Sequence, residues 1–384
     1  MKEKFLDLGL QPLSNRFLED PSVEEYKYNL SLCFDTETSL VSIVEQPDKK
    51  QMFNDEYPYS SSVSQSSIDH FRLIANDIID FHLVGNRRIL EIGSNDGVFL
   101  RNFPTDIAVG IEPCQNFADK TTKMGYETHA KFLDSDIAGK IGRFDVIYSA
   151  NCMCHIMDIE EAFANVYTML NDNGTFIFED PSLLSVIQKA SYDQFYDEHA
   201  HVFSILALRE LLEKSGLYIY YVRQLNTHGG SNRVFCSKKP EKGTERLLKI
   251  LKIEKGYKLD KLDTYKYFAG RISRSRDNLR RLLYTIKENN GNIIGYGATS
   301  KSATVYNYCD ITGDIISTIT DTTKIKQGRF TPGTHIPIVA PTDEILDKAD
   351  FAFLGAWNYL DEIVQKEYAR KFRFITHVPT VMVI

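Results

Sequence analysis

The sequence has no excess of positive charge and no long hydrophobic run. It contains 45 Lys and Arg residues against 52 Asp and Glu residues, which gives a formal net charge of −7. This balance argues against nucleic acid as the main partner. No apolar run approaches the roughly 18 residues of a membrane-spanning helix, and the first residues lack the apolar core of a signal peptide. We therefore expect a cytoplasmic protein without a membrane partner.

Cysteine is also scarce. The six cysteines are scattered along 384 residues, which is typical of reduced thiols in a cytoplasmic chain. Cys152 and Cys154 are separated by a single residue, which is too short for a typical zinc knuckle, and no second pair of cysteines accompanies them. The pattern therefore predicts no metal site.

A short apolar run followed by spaced glycines is the most informative segment that is present. Residues 89–92 read as a buried parallel strand, and residues 98–100 begin a predicted helix. Gly93 and Gly97 lie between them, where glycine allows a tight turn and a close approach of the backbone to a ligand. The segment thus predicts a strand, a turn and a helix around a ligand, although a plain structural turn is the alternative.

The spacing of these glycines distinguishes between nucleoside cofactors. The pattern is G-x-x-x-G, with Asn95 where a dinucleotide fingerprint has its middle glycine. A pyrophosphate needs that close backbone approach and a sulfonium nucleoside does not, so the pattern favours S-adenosylmethionine (SAM) over NAD. Glu112 ends a second predicted strand, about 20 residues after Glu91, where an acidic side chain commonly binds ribose hydroxyls. The predicted cofactor-binding residues are Glu91, Gly93, Asn95, Asp96, Gly97, Glu112 and Asn151.

Two further predicted strands complete a parallel sheet. Residues 144–151 end at Asn151, and residues 174–180 end at Glu179 and Asp180. In a doubly wound α/β sheet, ligands bind beyond the carboxyl ends of the strands. We therefore expect Asn151, Glu179 and Asp180 to meet there, together with His155.

The segment Tyr196-Asp-Glu198-His199 carries the acid/base chemistry. Transfer of a methyl group to carbon needs a carbanion or enolate, and histidine is a base of suitable pKa for forming one beside a ketone. Glu198 can orient the imidazole, Tyr196 can donate to a carbonyl or phosphate oxygen, and His155 can polarise the ketone. We predict that His201 is an ordinary solvated histidine.

The rest of the chain divides into recognisable segments. Residues 1–65 are turn-rich, with loop chemistry at 8–17 and short strands at 28–33 and 40–44. Helices are predicted at 68–83, 206–214 and 244–289, and strands at 218–223, 233–237, 315–320 and 351–354. Residues 292–297 read as a strand that enters a glycine turn. That turn allows an NAD site, a nucleotide-sugar phosphate site or a structural turn; Lys301 at the next helix would suit a diphosphate.

Together these segments resemble the nucleotide-sugar C-methyltransferases, which methylate a carbon beside the keto group of a deoxysugar. The resemblance covers nearly the whole chain in order. Its segments are Leu8-Gly-x-x-Pro-Leu-x-Asn-x-Phe17, Met52-Phe, Tyr57-x-Tyr59-x-Ser61, Glu91-x-Gly-x-Asn-Asp-Gly97, Asn151-x-x-x-His155-Ile-x-Asp158, Tyr196-x-Glu-His199-x-x-x-Phe-Ser204, His228-Gly-Gly-Ser231-x-Arg233, Gly295-Tyr-Gly-Ala298, and Lys326-Gln-Gly328 through Pro332-Gly-Thr-His-Ile-Pro-Ile338.

The resemblance implies an α/β protein in three parts: a small N-terminal module (1–65), a SAM-binding Rossmann-like domain (66–240) and a C-terminal Rossmann-like domain that binds a nucleotide sugar (241–384). The implied substrate is a dTDP- or GDP-linked 4-keto-deoxysugar. The implied catalytic residues are His199, Tyr196, Glu198, His155 and Asn151. The implied substrate-binding residues are Tyr57, Tyr59, His228, Arg233, Gly297 and Lys301.

The N-terminal module departs from the family pattern. Members usually carry four zinc-binding cysteines there, whereas this chain has Cys33 alone, so we predict no zinc. Three other functions remain open: an O-methyltransferase acting on a sugar hydroxyl, a non-catalytic protein that binds SAM or a nucleotide sugar, and a NAD-linked oxidoreductase. We take a monomer as the default state.

Overall fold

A computed structural model describes residues 1–62, 64–82, 87–240 and 242–384. The first segment forms β1 (Lys2–Pro12), β2 (Lys27–Asp35), β3 (Val41–Ile43), α1 (Lys49–Met52) and α2 (Gln65–Phe81). The predicted end of α2 at Leu83 lies outside the described residues.

The middle segment alternates strands and helices, as the apolar runs predict. It forms β4 (Ile89–Ile92), β5 (Ala108–Ile111), α3 (Gln115–Lys123), β6 (Glu127–His129), α4 (Ser135–Lys140), β7 (Phe144–Ala150), α5 (Ile159–Met169), β8 (Leu170–Pro181), α6 (Leu183–Lys189), β9 (His201–Val202), α7 (Ile205–Lys214), β10 (Tyr218–Leu225) and β11 (Ser231–Ser237).

The last segment begins with two long helices and continues as a second α/β unit. It forms α8 (Glu245–Gly256), α9 (Leu262–Glu288), β12 (Ile293–Tyr296), α10 (Ser300–Tyr308), β13 (Ile319–Thr320), β14 (Ile338–Val339), α11 (Asp343–Asp347), β15 (Phe351–Leu354), α12 (Leu360–Lys366), β16 (Arg373–Thr376) and β17 (Met382–Val383). The predicted single helical stretch at 244–289 is interrupted near Lys258, which has a left-handed backbone (φ 56°).

The seven-stranded sheet confirms the predicted doubly wound α/β fold. Its order is β10-β11-β8-β7-β4-β5-β6, and the strands are parallel except for β11, which runs antiparallel to both of its neighbours. Every residue of β4 and β5 is buried, as expected for strands covered on both faces. Helix α2 covers one face by packing Phe71 and Ile74 into a cluster with Phe99 and Tyr148. The carboxyl ends of β4, β5, β7 and β8 therefore share one edge.

The predicted helix at residues 98–100 is wrong. The chain forms only a 3₁₀ turn at Leu100–Asn102 before β5. Pro104 follows, and because a proline lacks an N–H and restricts the residue before it, a helix starting at Val98 has no room to continue.

The N-terminal sheet is more regular than the sequence predicts. Strand β1 extends to Pro12, into the first part of the segment assigned to a loop (8–17), because Gly9 (φ 76°) takes up a bulge between Asp7 and Leu10. Strand β9 joins the far edge of this sheet, giving the order β1-β2-β3-β9. His201 in β9 is therefore buried, with its ring nitrogens bound to Ser42 Oγ and to the carbonyl of Met157, so its prediction as a solvated histidine is wrong.

The C-terminal sheet has the order β14-β13-β12-β15-β16-β17 and is parallel except for β17. The predicted strand at 315–320 is shorter than expected, since only Ile319 and Thr320 pair. No helix within the described residues is long and apolar enough to cross a membrane. We keep as a proposal the division of the chain into three parts at residues 65 and 240. Strand β9 belongs to the middle part but pairs in the N-terminal sheet.

Candidate active site

A cavity of about 750 Å³ lies at the carboxyl edge of the seven-stranded sheet. Residues from all three parts of the chain line it. They include Asn15, Tyr57, Tyr59, His70, Gly93, Asn95, Glu112, Asn151, His155, Tyr196, Glu198, His199, His228 and Lys301. The fold thus brings most of the predicted site residues to one space, at the edge where doubly wound sheets bind ligands.

The first half of the cavity is built around Gly93 and Glu112. Gly93 has a φ of 76°, and a Cβ at this position would lie only 2.8 Å from Cys152 Sγ. The Glu112 carboxylate accepts the backbone N–H groups of Asn95 at 2.7 Å and Cys114 at 2.9 Å. Burial raises the pKa of Glu112 despite these bonds. Each carboxylate oxygen has one further lone pair, so the group can still accept from a ligand diol.

Asp96 lies outside the cavity lining. Its fully buried carboxylate binds the hydroxyls of Ser60 and Ser62 and the Lys120 ammonium. Asn95 binds the same segment, because its side chain accepts the N–H of Ser61 at 2.9 Å. We call residues 59–62 the serine segment. Asp96 therefore anchors the segment that carries Tyr59 over the cavity, a role that the glycine spacing does not reveal.

Glu91 and Gly97 also lie behind the cavity wall. Glu91 is buried, and its pKa is raised well above the usual range by burial and by the charges of Glu112 and Asp96. Gly97 has a φ of 77°, and a Cβ there would lie 2.7 Å from Thr121. Glu91 in β4 and Gly97 in the turn that follows it therefore do not reach the cavity surface.

The second half of the cavity is built around His199. Its Nδ1 lies 2.6 Å from the carbonyl oxygen of Gln194, and since a carbonyl only accepts, Nδ1 carries the proton. The lone pair is then on Nε2, which accepts the Tyr196 hydroxyl at 2.8 Å. Burial lowers the pKa of His199 well below its usual value, and the nearby charges of His155 and Lys301 lower it further. His199 is thus a neutral, oriented base at neutral pH.

The N-terminal module holds the loop that carries His199. Glu198 accepts the Asn15 side-chain amide at 2.7 Å and the Tyr57 hydroxyl at 2.9 Å. The neighbouring Asp197 accepts the backbone N–H of Ser14 at 3.1 Å. Burial and the charge of Asp197 raise the pKa of Glu198. The sequence predicts Tyr57 in the site but not Asn15, whose only signal is its place in the Leu8-to-Phe17 segment.

His155 forms the wall beside His199. The two rings stack with centroids 5.4 Å apart, and Phe53 stacks on the other side of His155 at 5.5 Å. Its Nε2 is buried and has no hydrogen-bond partner among the described residues, and burial lowers its pKa to about 3. A neutral, unpartnered imidazole nitrogen in a cavity wall is suited to bind a ligand hydroxyl.

Cys154 joins the two histidines in a group whose ligand atoms lie within 4.8 Å of one another. Sequence spacing alone offers no third ligand, whereas the 3₁₀ turn Met153–His155 supplies one. A thiol binds metal as a thiolate. Burial and the charge of Asp180 raise the pKa of Cys154 well above its usual value, which opposes that form.

The C-terminal domain contributes a cationic end of the cavity. Lys301 is the second residue of α10, whose N-terminus carries a capping box between Thr299 and Ser302. Its side chain is nine-tenths buried and has no hydrogen-bond or ion-pair partner among the described residues, and burial lowers its pKa. Gly297 is not part of the lining; it has a φ of 88° and turns the chain against Ala356. A buried, unpaired ammonium at a helix N-terminus is suited to an anion.

Comparisons with known proteins identify similar sequences along the whole chain. Residues 68–222 match a methyltransferase domain family, and residues 226–379 match the C-methyltransferase C-terminal domain family. The C-methyltransferase NovU from Streptomyces niveus is 30% identical over 393 residues, covering 99% of this chain and 93% of that protein.

The chain belongs to the C-methyltransferase family.

Solved structures match a smaller part of this C-methyltransferase. A SAM-dependent methyltransferase from Thermotoga maritima, described as a possible histamine N-methyltransferase, is 20% identical, with 45% of this chain and 91% of that chain covered and a TM-score of 0.35. The carbon methyltransferase CurJ is 15% identical, with 45% and 55% covered and the same TM-score. These matches add nothing to what the sheet order shows.

The C-methyltransferase uses SAM, and its first half-cavity fits this cofactor. Gly93 leaves room for a ligand against the backbone, Glu112 keeps lone pairs for a ribose diol, and Phe132 and Leu133 supply an apolar wall.

Of the remaining predicted substrate-binding residues, His228 lines the cavity and Arg233 does not. His228 lines the cavity with a left-handed backbone (φ 53°), and burial lowers its pKa to about 3. Arg233 does not reach the cavity; it is 3% exposed and binds Glu179 with its Nε at 2.7 Å. Glu179 in turn binds His70, which lines the cavity. The sequence does not predict His70, because its only signal there is a place on an amphipathic helix.

Proposed function

We propose that this C-methyltransferase methylates the carbon next to the ketone of a nucleoside-diphosphate keto sugar. The observation that supports this most directly is the position of His199, a neutral base between the cofactor half of the cavity and the Lys301 end. An acceptor that spans this distance needs an acidic carbon near His199 and an anionic group near Lys301. A keto sugar joined to a diphosphate has both.

The proposed reaction begins with proton transfer. Nε2 of His199 takes the proton from the carbon next to the ketone, and the electron pair of that C–H bond forms the enolate. The Tyr196 hydroxyl, which faces Nε2, then turns its O–H to the enolate oxygen. SAM held against Gly93 and Glu112 would supply an electrophilic methyl group to the enolate carbon. Positioned acid/base groups of this kind accelerate reactions by about 10²–10⁴-fold.

The diphosphate is assigned to the Lys301 end. Lys301 offers an ammonium, and α10 offers the N–H groups of Ser300 and Lys301, which lie outside the capping box; both favour phosphate oxygens. Lys326 adds a second ammonium nearby, with its Nζ donating to the Ala298 carbonyl at 2.7 Å. Tyr57 and Tyr59 close the cavity from the N-terminal side, beside the sugar.

Mass spectrometry in deuterated water tests this proposal. The protein is incubated with SAM and with dTDP- or GDP-linked 4-keto-6-deoxysugars. We expect a mass gain of one methylene and loss of the exchangeable carbon-bound hydrogen, with deuterium uptake at that carbon when SAM is left out. A methylene gain on a sugar that lacks a ketone would instead indicate an O-methyltransferase. Neither methylation nor deuterium uptake, despite SAM binding, would overturn the proposal.

The pH dependence follows from the environment of His199. The base works when its Nε2 is unprotonated, and a pKa lowered well below 6.5 keeps it unprotonated into mildly acidic solution. We therefore expect the acid limb that His199 contributes to kcat to lie well below pH 6.5. A rate that halves near pH 6.5, as expected for a solvated histidine, would contradict a lowered pKa of His199.

A further inference from the structure

His70 forms part of the cavity wall opposite His199. Its Nε2 lies 2.7 Å from Oε2 of Glu179, which is 2% exposed. A carboxylate only accepts hydrogen bonds, so Nε2 carries the proton and donates it. In the part of the chain that the structure describes, Nδ1 of His70 has no hydrogen-bond partner. Because His70 lines the cavity, Nδ1 is the ring nitrogen left for a ligand there.

Glu179 is itself held by a buried set of groups. Its Oε1 accepts the Tyr148 hydroxyl at 2.9 Å and the Arg233 Nε at 2.7 Å. Burial alone would raise the pKa of Glu179, but the His70 bond and the Arg233 charge outweigh it and lower that pKa. Arg233 also lies 3.8 Å from Asp77, one of the α2 residues. A fixed carboxylate anion therefore orients the imidazole of His70.

The two histidine walls face the same space. Side chains alternate along a strand, so Glu179 points to the α2 face of β8 and Asp180 points to the opposite face, beside Cys154. His70 accordingly lies on one side of this edge, and His155 and His199 lie on the other. His70, His155, His199 and His228 all line the cavity, so the two walls face one volume.

We propose that His70 contacts the acceptor directly, with its Nδ1 bound to an oxygen of the sugar on the side opposite His199. Glu179 and Arg233 are positioning residues that act through His70. The inference rests on the proposed function only in taking the acceptor to be an oxygen-rich molecule in this cavity. It explains why an ion pair is buried beneath a histidine that lines the cavity.

Two substitutions separate the functions of the two ring nitrogens. His70→Gln places an amide near the position of Nε2, so it keeps a donor for Glu179 and loses the nitrogen that faces the cavity. His70→Asn places an amide near the position of Nδ1 and loses the bond to Glu179. His82→Gln is the matched control, because His82 follows the end of the same helix and packs beside Phe235 outside the cavity.

We expect His70→Gln to raise the acceptor KM about tenfold, the value of one hydrogen bond of ordinary to charged strength, while the SAM Kd stays unchanged. His70→Asn should fall between His70→Gln and wild type in acceptor KM, and its melting temperature should drop because Glu179 loses a partner. His82→Gln should match wild type.

Two results would overturn the inference: an acceptor KM in His70→Gln equal to that of wild type, or a SAM Kd that rises in place of the acceptor KM. The wild-type protein tests the proposed function separately. Methyl transfer to a keto sugar supports that function whatever the variants show, and the His70 inference is judged on whichever acceptor the wild type methylates.

Discussion

Replacing His199 by Asn will reduce kcat about 10³-fold and leave the SAM Kd within twofold of wild type. The reason is the position of the two ring nitrogens. Asparagine keeps a donor near Nδ1, so the bond to the Gln194 carbonyl and the shape of the loop persist, while the accepting Nε2 is lost. Loss of a general base costs about 10²–10⁴ in rate. Steady-state kinetics and calorimetric SAM titration give the two quantities.

Deuterium exchange distinguishes loss of the base from loss of the fold. His199→Asn should abolish deuterium uptake at the acceptor carbon without SAM, and its melting temperature should match that of wild type. Tyr196→Phe provides a second comparison, because it removes the hydroxyl that faces Nε2 and keeps the base. It should slow methylation more than exchange. Full activity of His199→Asn would exclude His199 as the base.

The sequence predicts the site best where function depends on residues adjacent in the chain. Residues 89–97 and 196–199 group their candidate site residues within a few positions, so pattern alone predicts a cofactor edge and a candidate base. Asp96 and Arg233 have the right residue types for ligand contacts, yet the fold uses Asp96 to hold the serine segment and Arg233 to hold Glu179. A charge that binds a ligand and a charge that is buried in an ion pair have the same sequence signal.

The residues that sequence analysis missed act across long separations. Asn15 reaches Glu198 and His70 reaches Glu179, pairings of 183 and 109 residues that no local pattern encodes. The strand β9 shows the same effect in the fold. It pairs with β3, which buries His201 in a sheet whose other strands lie at the start of the chain.

The N-terminal module contacts both helix α9 and the loop that carries His199. Its sheet packs Phe34 against Tyr265 of α9, with ring centroids 4.7 Å apart, and Asn15 and Tyr57 bind the carboxylate next to the base. The module therefore positions the loop that carries His199. Cys33 lies buried in strand β2 of that sheet.

Replacing Lys301 by Met will weaken the binding of free dTDP or GDP by at least thirtyfold. Lys301 is the buried cation at the end of the cavity where we assign the diphosphate, and removing one partner of a buried charge pair costs about 2–5 kcal/mol. Methionine matches the length of the lysine stem, so the cavity keeps its shape. Calorimetric titration with each nucleoside diphosphate measures the change.

The same substitution should not destabilise the free protein. Lys301 has no hydrogen-bond or ion-pair partner among the described residues, and a buried unpaired charge opposes folding, so the melting temperature should stay constant or rise. Lys324→Met is the matched control, since Lys324 is exposed in the neighbouring loop. Equal nucleotide affinity in Lys301→Met and Lys324→Met would contradict the assignment of the diphosphate to the N-terminus of α10. A loss confined to Lys301→Met, with the SAM Kd unchanged, would place the nucleotide at the end of the cavity opposite the cofactor.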